Sequence, residues 1–349
     1  MTVPSGLPDW ARCLGPPDVS GRLRCRLEDF QVFEKPLITP DGAGNHLWLE
    51  IEKRGANTDW VAGQLAAAAG VPRRDVGFAG MKDRHGVTTQ WFSIGLQEAG
   101  NADWEDWSIE GVRFLHASRH GRKLRRGVLA GNRFRLVVRE LTGNTGGLAE
   151  RIAVLAANGI PNYFGPQRFG HGGRNVDRAR AWLEKGGRVR RQQRSLYLSA
   201  ARSFLFNHVL STRVQRGDWN RLLDGEMAQL DGRRPVFSCD LPDVELERRC
   251  DLFEIHPTGP MPGRVGRGPE RDAAEVENAV LNAERDLIDA LARAGADAAR
   301  RSLRAIPRGL KGVVDDDTLE LVFELPPGSY ATSLLREIID TRDTASREP

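Results

Sequence analysis

The chain has 349 residues, 40% hydrophobic and 28% charged, with a mean hydropathy of -0.45, a composition that excludes a disordered or membrane-embedded protein and suits one large domain or two smaller ones. No apolar run approaches the roughly 18 to 20 residues of a membrane-crossing helix, and the first fifteen residues do not read as a signal peptide, so a cytoplasmic location is expected. Net charge is only +4, but six of the 51 basic residues are lysine and the other 45 arginine, which suits either a structured RNA partner or a genome rich in arginine codons.

Period-two alternation predicts a first strand over residues 22–27, with Leu23, Cys25 and Leu27 on one face and Arg22, Arg24 and Arg26 on the other. Leu47, Leu49 and Ile51 predict a second strand, and Thr58 or Asp59 is placed to cap a helix through Ala69, closed by Gly70. Further strands are expected over residues 87–96 and 132–141; the latter sets Arg133, Arg135 and Arg139 on one face. From about Gly159 helical periodicity takes over, with an amphipathic helix over residues 195–213. Residues 258–269, dense in Gly and Pro, read as a surface loop, and an Ala-rich helix follows to about Ala294. Leu319, Leu321, Phe323 and Leu325 then alternate with Glu320, Val322 and Glu324 before a Pro326-Pro327-Gly328 turn and a short helix to Asp340. A mixed α+β domain closed by these last elements, with a largely helical insertion at residues 158–304, is the simplest topology.

The segment from Gly77 to Gln90 places Asp83 among Lys82, Arg84 and His85, between glycines. A carboxylate surrounded by cations is expected to be ionised, as a nucleophile requires; a turn capped by Asp83 with solvated charges is the other reading. Residues 161–173 interleave Tyr163, Phe164 and Phe169 with Gln167, Arg168 and glycines, which suits either base stacking or a loop with buried aromatics. Arg122, Lys123, Arg125 and Arg126 form the densest positive patch, and Arg188, Arg190, Arg191 and Arg194 a second; each reads as a phosphate-binding surface or as a solvated face. His116 and His120 have the spacing of helical metal ligands, but the surrounding cations argue against a metal. Cys13, Cys25, Cys239 and Cys250 are too scattered for a CxxC site and are read as free thiols. Walker, Rossmann, GxSxG and HExxH motifs are absent from the sequence.

At Gly77–Gln90 the chain resembles the TruD family of tRNA pseudouridine synthases, whose signature GFAGxKDxxxVTxQ it meets. Further blocks similar to the family's occur in family order: Glu28 to Glu34, His120 to Phe134, Asn162 to Gly173, Arg194 to Asn207, and Leu325 to Glu337. The resemblance implies an α+β fold. A catalytic domain with a mixed, mainly antiparallel sheet would comprise residues 1–157 and 305–349, interrupted by a largely helical α/β insertion (TRUD) domain over 158–304. It also implies an isomerase that converts uridine-13, in the D-arm region of tRNA, to pseudouridine without cofactor or metal. Asp83 matches the family's nucleophile, and Phe30, Asn132 and Tyr330 match positions lining the uridine pocket.

Tyr330 departs from the usual Phe, leaving open how its hydroxyl is satisfied. Arg24 or Arg336 is the expected cationic partner of Asp83, and Arg122, Lys123, Arg125, Arg126 and Arg168 the expected RNA contacts of a monomer. Attack at ribose C1′, a glycal intermediate and addition to uracil C6 all remain open as routes. A non-catalytic tRNA-binding or RNA-chaperone protein is the competing function, and a hydrolase using Asp83 a third.

Overall fold

The computed structural model describes residues 6–96 and 103–344, and the chain divides into two compact units. A sheet unit comprises Asp18–Ile152, Pro307–Gly328 and the described part of Ile339–Pro349, and a helical unit comprises Ala153–Ile306, Ser329–Ile338 and the described part of Met1–Pro17. Among the described residues no helix is long and apolar enough to cross a membrane.

The sheet unit holds a ten-stranded mixed sheet. Its main path runs Arg308–Asp315, Thr318–Leu325, Leu129–Gly143, Phe30–Pro36, Val87–Gly95, His46–Arg54 and Val112–His120. Neighbours along this path are antiparallel except Phe30–Pro36 with Val87–Gly95, which run parallel. Strand Thr318–Leu325 alternates buried and half-buried residues without a break, and Phe323 stacks on its cross-strand partner Phe134 with ring centroids 5.1 Å apart. Helix Thr58–Ala68 presses Val61, Ala62 and Leu65 onto Leu47, Leu49, Ile51, Phe92 and Ile94.

The helical unit is organised by Arg191–Arg216, 26 residues long and closed by Gly217 at φ 76°. Phe204, Phe206 and Leu210 of this helix share a core with Trp10, Tyr163, Phe164 and Phe169. A four-stranded sheet runs in the order Val236–Cys239, Glu226–Leu230, Ile255–Met261, Ala299–Ser302.

Several sequence expectations are corrected. The first strand is Val19–Leu23, not 22–27, because Arg24 adopts a left-handed φ of 60° that turns the chain out of the sheet. The helix cap is Asn57, whose side chain accepts the Asp59 amide, which leaves the Thr58 hydroxyl for other bonds. Residues 258–261, expected in a loop, complete the buried strand Ile255–Met261. That strand pairs with Glu226–Leu230 over residues 255–257 and with Ala299–Ser302 over 258–261, and the Leu303 amide donates to the Pro257 carbonyl at 2.9 Å; Pro260 has a strand partner on one side only and is tolerated as on an edge. The Ala-rich stretch is two helices, Arg271–Leu281 and Arg285–Arg293. Along the chain the compact units change over at 17/18, 152/153, 306/307, 328/329 and 338/339. Helix Ala331–Ile338 and the Trp10 region group with the helical unit, because Ser333 bonds the Tyr163 carbonyl at 2.7 Å and Trp10 packs on Tyr163 and Phe204.

Candidate active site

Asp83 sits between the short strand Val76–Phe78 and the strand Val87–Gly95, on a loop whose path is fixed from four directions. The Lys82 amide donates to the buried Thr58 hydroxyl at 3.0 Å, and that hydroxyl donates to Gln90 Oε1, also at 3.0 Å. Gln90 returns a bond to the Gly80 carbonyl at 3.3 Å. Lys82 Nζ is ion-paired with Glu34, the two side chains being 5% and 1% exposed, and Glu34 also accepts the Trp91 amide. Lys53 donates to the carbonyls of Asp83 and Ala56, both at 2.8 Å. At the far end, Gly86 lies so close to Phe30 that a Cβ there would run into the Phe30 carbonyl, which explains the glycine.

With the backbone held, the Asp83 side chain is left 46% exposed. Arg24 Nη2 stands 3.5 Å from Asp83 Oδ2, while Nη1 pairs with Asp343. The Arg24 guanidinium lies over the Phe30 ring, 3.9 Å from its centroid. The left-handed backbone that ends the first strand therefore sits where the side chain turns toward Phe30 and Asp83; Thr344 secures it by donating to the carbonyls of Leu23 and Arg24 at 2.9 and 2.6 Å. Asn132 lies on the strand Leu129–Gly143, opposite Glu34, and its Oδ1 is buried with no hydrogen-bond partner among the described residues.

Phe30, Arg24 and Asp83 are thus brought into one cluster, and Asn132 belongs to the same unit. Tyr330, Arg168 and Arg336 belong to the helical unit. There Arg168 Nε donates to the Tyr330 hydroxyl at 3.0 Å, so the hydroxyl has a partner, and Arg168 Nη1 donates to Ser199 at 3.0 Å. Arg336 donates to the carbonyls of Trp10 and Ala11 and pairs with Glu337 at 3.0 Å. Tyr163, Phe164 and Phe169, open to two readings from sequence, are all buried in the core. Arg301 stacks on Phe164, 4.2 Å from the ring centroid, and burial pushes its guanidinium down to about 10.

The basic loop of the sheet unit is tied back to strands Val87–Gly95 and His46–Arg54 and to Ala79, just past strand Val76–Phe78. Leu124 is buried and its amide donates to Ser93 Oγ at 2.8 Å, the Gly127 amide donates to the Ala79 carbonyl at 2.7 Å, and Trp48 Nε1 donates to the Arg122 carbonyl at 2.9 Å. Lys123 is bonded to the Arg74 carbonyl, and Arg126 lies 5.2 Å from the Phe78 ring centroid. The exposed side chains of Arg122 and Arg125 have no partner among the described residues. In the helical unit Arg188, Arg190 and Arg191 are likewise exposed without a partner, whereas Arg194 donates to the Ala294 carbonyl at 2.5 Å. His116 and His120 lie on a strand, with ring centroids 5.9 Å from Trp91 and 4.7 Å from Trp48 respectively. No group of three or more His, Cys, Asp and Glu residues among the described residues is placed to hold a metal ion.

Sequence reading missed Lys53, Glu34 and Thr58 as parts of this site. A signal for Lys53 was present: it occupies the next inward position after Leu47, Leu49 and Ile51, where the alternation calls for an apolar residue, and it is fully buried.

A family model described as tRNA pseudouridine synthase D (TruD) matches residues 11–179 and 174–338. A protein named tRNA pseudouridine synthase D from Methylococcus capsulatus is 45% identical over 337 residues, covering 96% of this chain and 95% of its own. One of the same name from Hydrogenovibrio crunogenus is 41% identical over 346 residues, covering 98% of this chain and 99% of its own. The crystal structure of a candidate tRNA pseudouridine synthase D (TruD) from Methanosarcina mazei shares the fold, with a TM-score of 0.73 at 21% identity, over 97% of this chain and 98% of its own.

Proposed function

The chain belongs to the tRNA pseudouridine synthase D (TruD) family, and on that premise we propose that it isomerises uridine-13 of tRNA to pseudouridine in the cytoplasm, with Asp83 as the nucleophile. The observation that carries the reading is the cluster at Asp83: a half-exposed carboxylate on a backbone fixed by buried side chains, beside a guanidinium stacked on an aromatic ring. A carboxylate acting on one atom of a bulky substrate gains most from being held in place before the substrate arrives.

The reaction breaks the bond from uracil N1 to ribose C1′, turns the base, and joins C5 to C1′. N1 gains a proton and C5 loses one, so the isomerisation is redox-neutral and consumes no co-substrate; no cofactor or metal enters this proposal. Asp83 attacks C1′, assists a glycal route or adds to C6, and in each case the uridine must first leave its stack. Arg24 steadies the carboxylate through charge. The unsatisfied Asn132 Oδ1 supplies an acceptor suited to a base N–H. Phe30 is 2% exposed with Arg24 across its ring, so in this proposal it carries Arg24 and meets the uridine once the guanidinium shifts. Tyr330 offers a ring whose hydroxyl is already bonded to Arg168. Arg122 and Arg125, exposed and unpartnered among the described residues, are the best placed of the expected RNA contacts to meet phosphates.

Incubation with an unmodified tRNA transcript, followed by chemical mapping, tests the proposal. Pseudouridine at position 13 is the expected product. Released uracil would point instead to hydrolysis, and tightly bound but unchanged tRNA to the non-catalytic alternative.

A further inference from the structure

We propose that Lys53 is a positioning residue of the reaction, its ammonium fixing the backbone of Asp83 from beneath so that the carboxylate is presented in one place. This rests on the reading of Asp83 as the nucleophile.

Lys53 continues the inward face of Leu47, Leu49 and Ile51 on strand His46–Arg54, and an apolar residue there would extend the core at no electrostatic cost. The chain instead buries an ammonium completely and spends two of its three donors on the carbonyls of Ala56 and Asp83, at 2.8 Å each. Among the described residues the Asp83 carbonyl has no other hydrogen bond. The Asp83 carboxylate attracts the same ammonium, so Lys53 acts on the loop through both its backbone and its charge.

The charged groups facing Lys53 are few. Asp83 and Lys82 come from the loop, and Lys82 is paired with Glu34. The flanking strands set Thr88 and Val112 opposite it. Asp59 of the neighbouring helix is paired with Arg73, and Arg54, next along the strand, with Glu28.

The test is Lys53→Met in the full-length protein, assayed under single turnover on unmodified tRNA. Expected is a loss of about 10- to 100-fold in the rate of pseudouridine formation, the scale set by displacing a reacting group by about an ångström. The Kd for tRNA should stay within about twofold of wild type, and the protein should remain folded at the assay temperature, because relief of the buried charge offsets the loss of the two carbonyl hydrogen bonds. Burial pushes the Lys53 ammonium down to about 8, so the wild-type rate should also decline as pH rises through that value, and Lys53→Met should lack that decline. An unchanged rate, a rate loss matched by a loss of folded protein, or the same alkaline decline in both proteins would overturn the assignment. Asp83→Asn run alongside separates the two readings: if it turns over, the nucleophile is wrong, whereas if it is inactive and Lys53→Met is normal, only the role of Lys53 fails.

Discussion

The loop that carries Asp83 and the basic loop at residues 121–128 are both rich in glycine and cations, and they dispose of charge in opposite ways. Around Asp83 two cations are withdrawn from water, Lys53 fully buried on two carbonyls and Lys82 5% exposed against Glu34, while Arg84 stays exposed. In the basic loop the backbone is bonded to Ser93, Ala79 and Trp48, while Arg122 and Arg125 remain exposed and unpartnered among the described residues. A charge that shapes a backbone is useful when buried and paired, and one that meets a polyanion is useful when exposed. Substitutions in the two loops should therefore fail in different assays.

The largest effect on folding is expected at Lys82. Lys82→Met strands the Glu34 carboxylate in a buried site, which should cost about 3 to 5 kcal/mol of stability by urea unfolding. A loss below about 1 kcal/mol, the range of exposed pairs, would show that Lys82 belongs with the surface cations instead. For the basic loop, Arg122→Gln and Arg125→Gln should leave the urea midpoint unchanged and weaken tRNA binding. Each should lower the slope of log K against log salt by about one unit for every phosphate left without its arginine. Unchanged affinity and slope would reduce this loop to a solvated face.

The buried lysine adds a dependence on pH. Because the folded Lys53 is lowered to about 8 from an unfolded value of 10.5, the native state sheds its proton first. Between those values the unfolded chain holds more protons, so wild type should gain stability relative to Lys53→Met as pH rises. The slope is on the order of 1 kcal/mol per pH unit, with no such trend below about 8. Urea midpoints of the two proteins at pH 7, 8, 9 and 10 would check the sign. The smallest effect is expected at Tyr330→Phe, which removes the hydroxyl bonded to Arg168 and should cost about 1 kcal/mol or less, with pseudouridine formation largely retained.

Where side-chain periodicity alone set the structure, it was legible. Leu319 to Leu325 alternate in the sheet as they do in the sequence, and Leu47, Leu49 and Ile51 face the core. It failed where tertiary partners decide. Arg24 continues an alternating pattern on paper, but its guanidinium is held by Phe30, Asp83 and Asp343, and the backbone turns left-handed there. Pro260 reads as a loop residue because one-sided strand pairing is invisible in sequence. The Asp83 segment was conspicuous through its local density of Gly and charge, whereas the groups that hold it, Lys53, Glu34 and Thr58, come from three other parts of the chain.

The central claim is that the Asp83 carboxylate is the reacting group on a backbone that the rest of the site holds still. The most direct test is single-turnover conversion of unmodified tRNA by Asp83→Asn, read by pseudouridine mapping at position 13, with tRNA binding measured on the same preparation. An amide of nearly the same size keeps the loop and its bonds but is a poor nucleophile, so binding close to wild type with no pseudouridine is the expected result. Pseudouridine formed by Asp83→Asn at more than a trace of the wild-type rate would contradict the account.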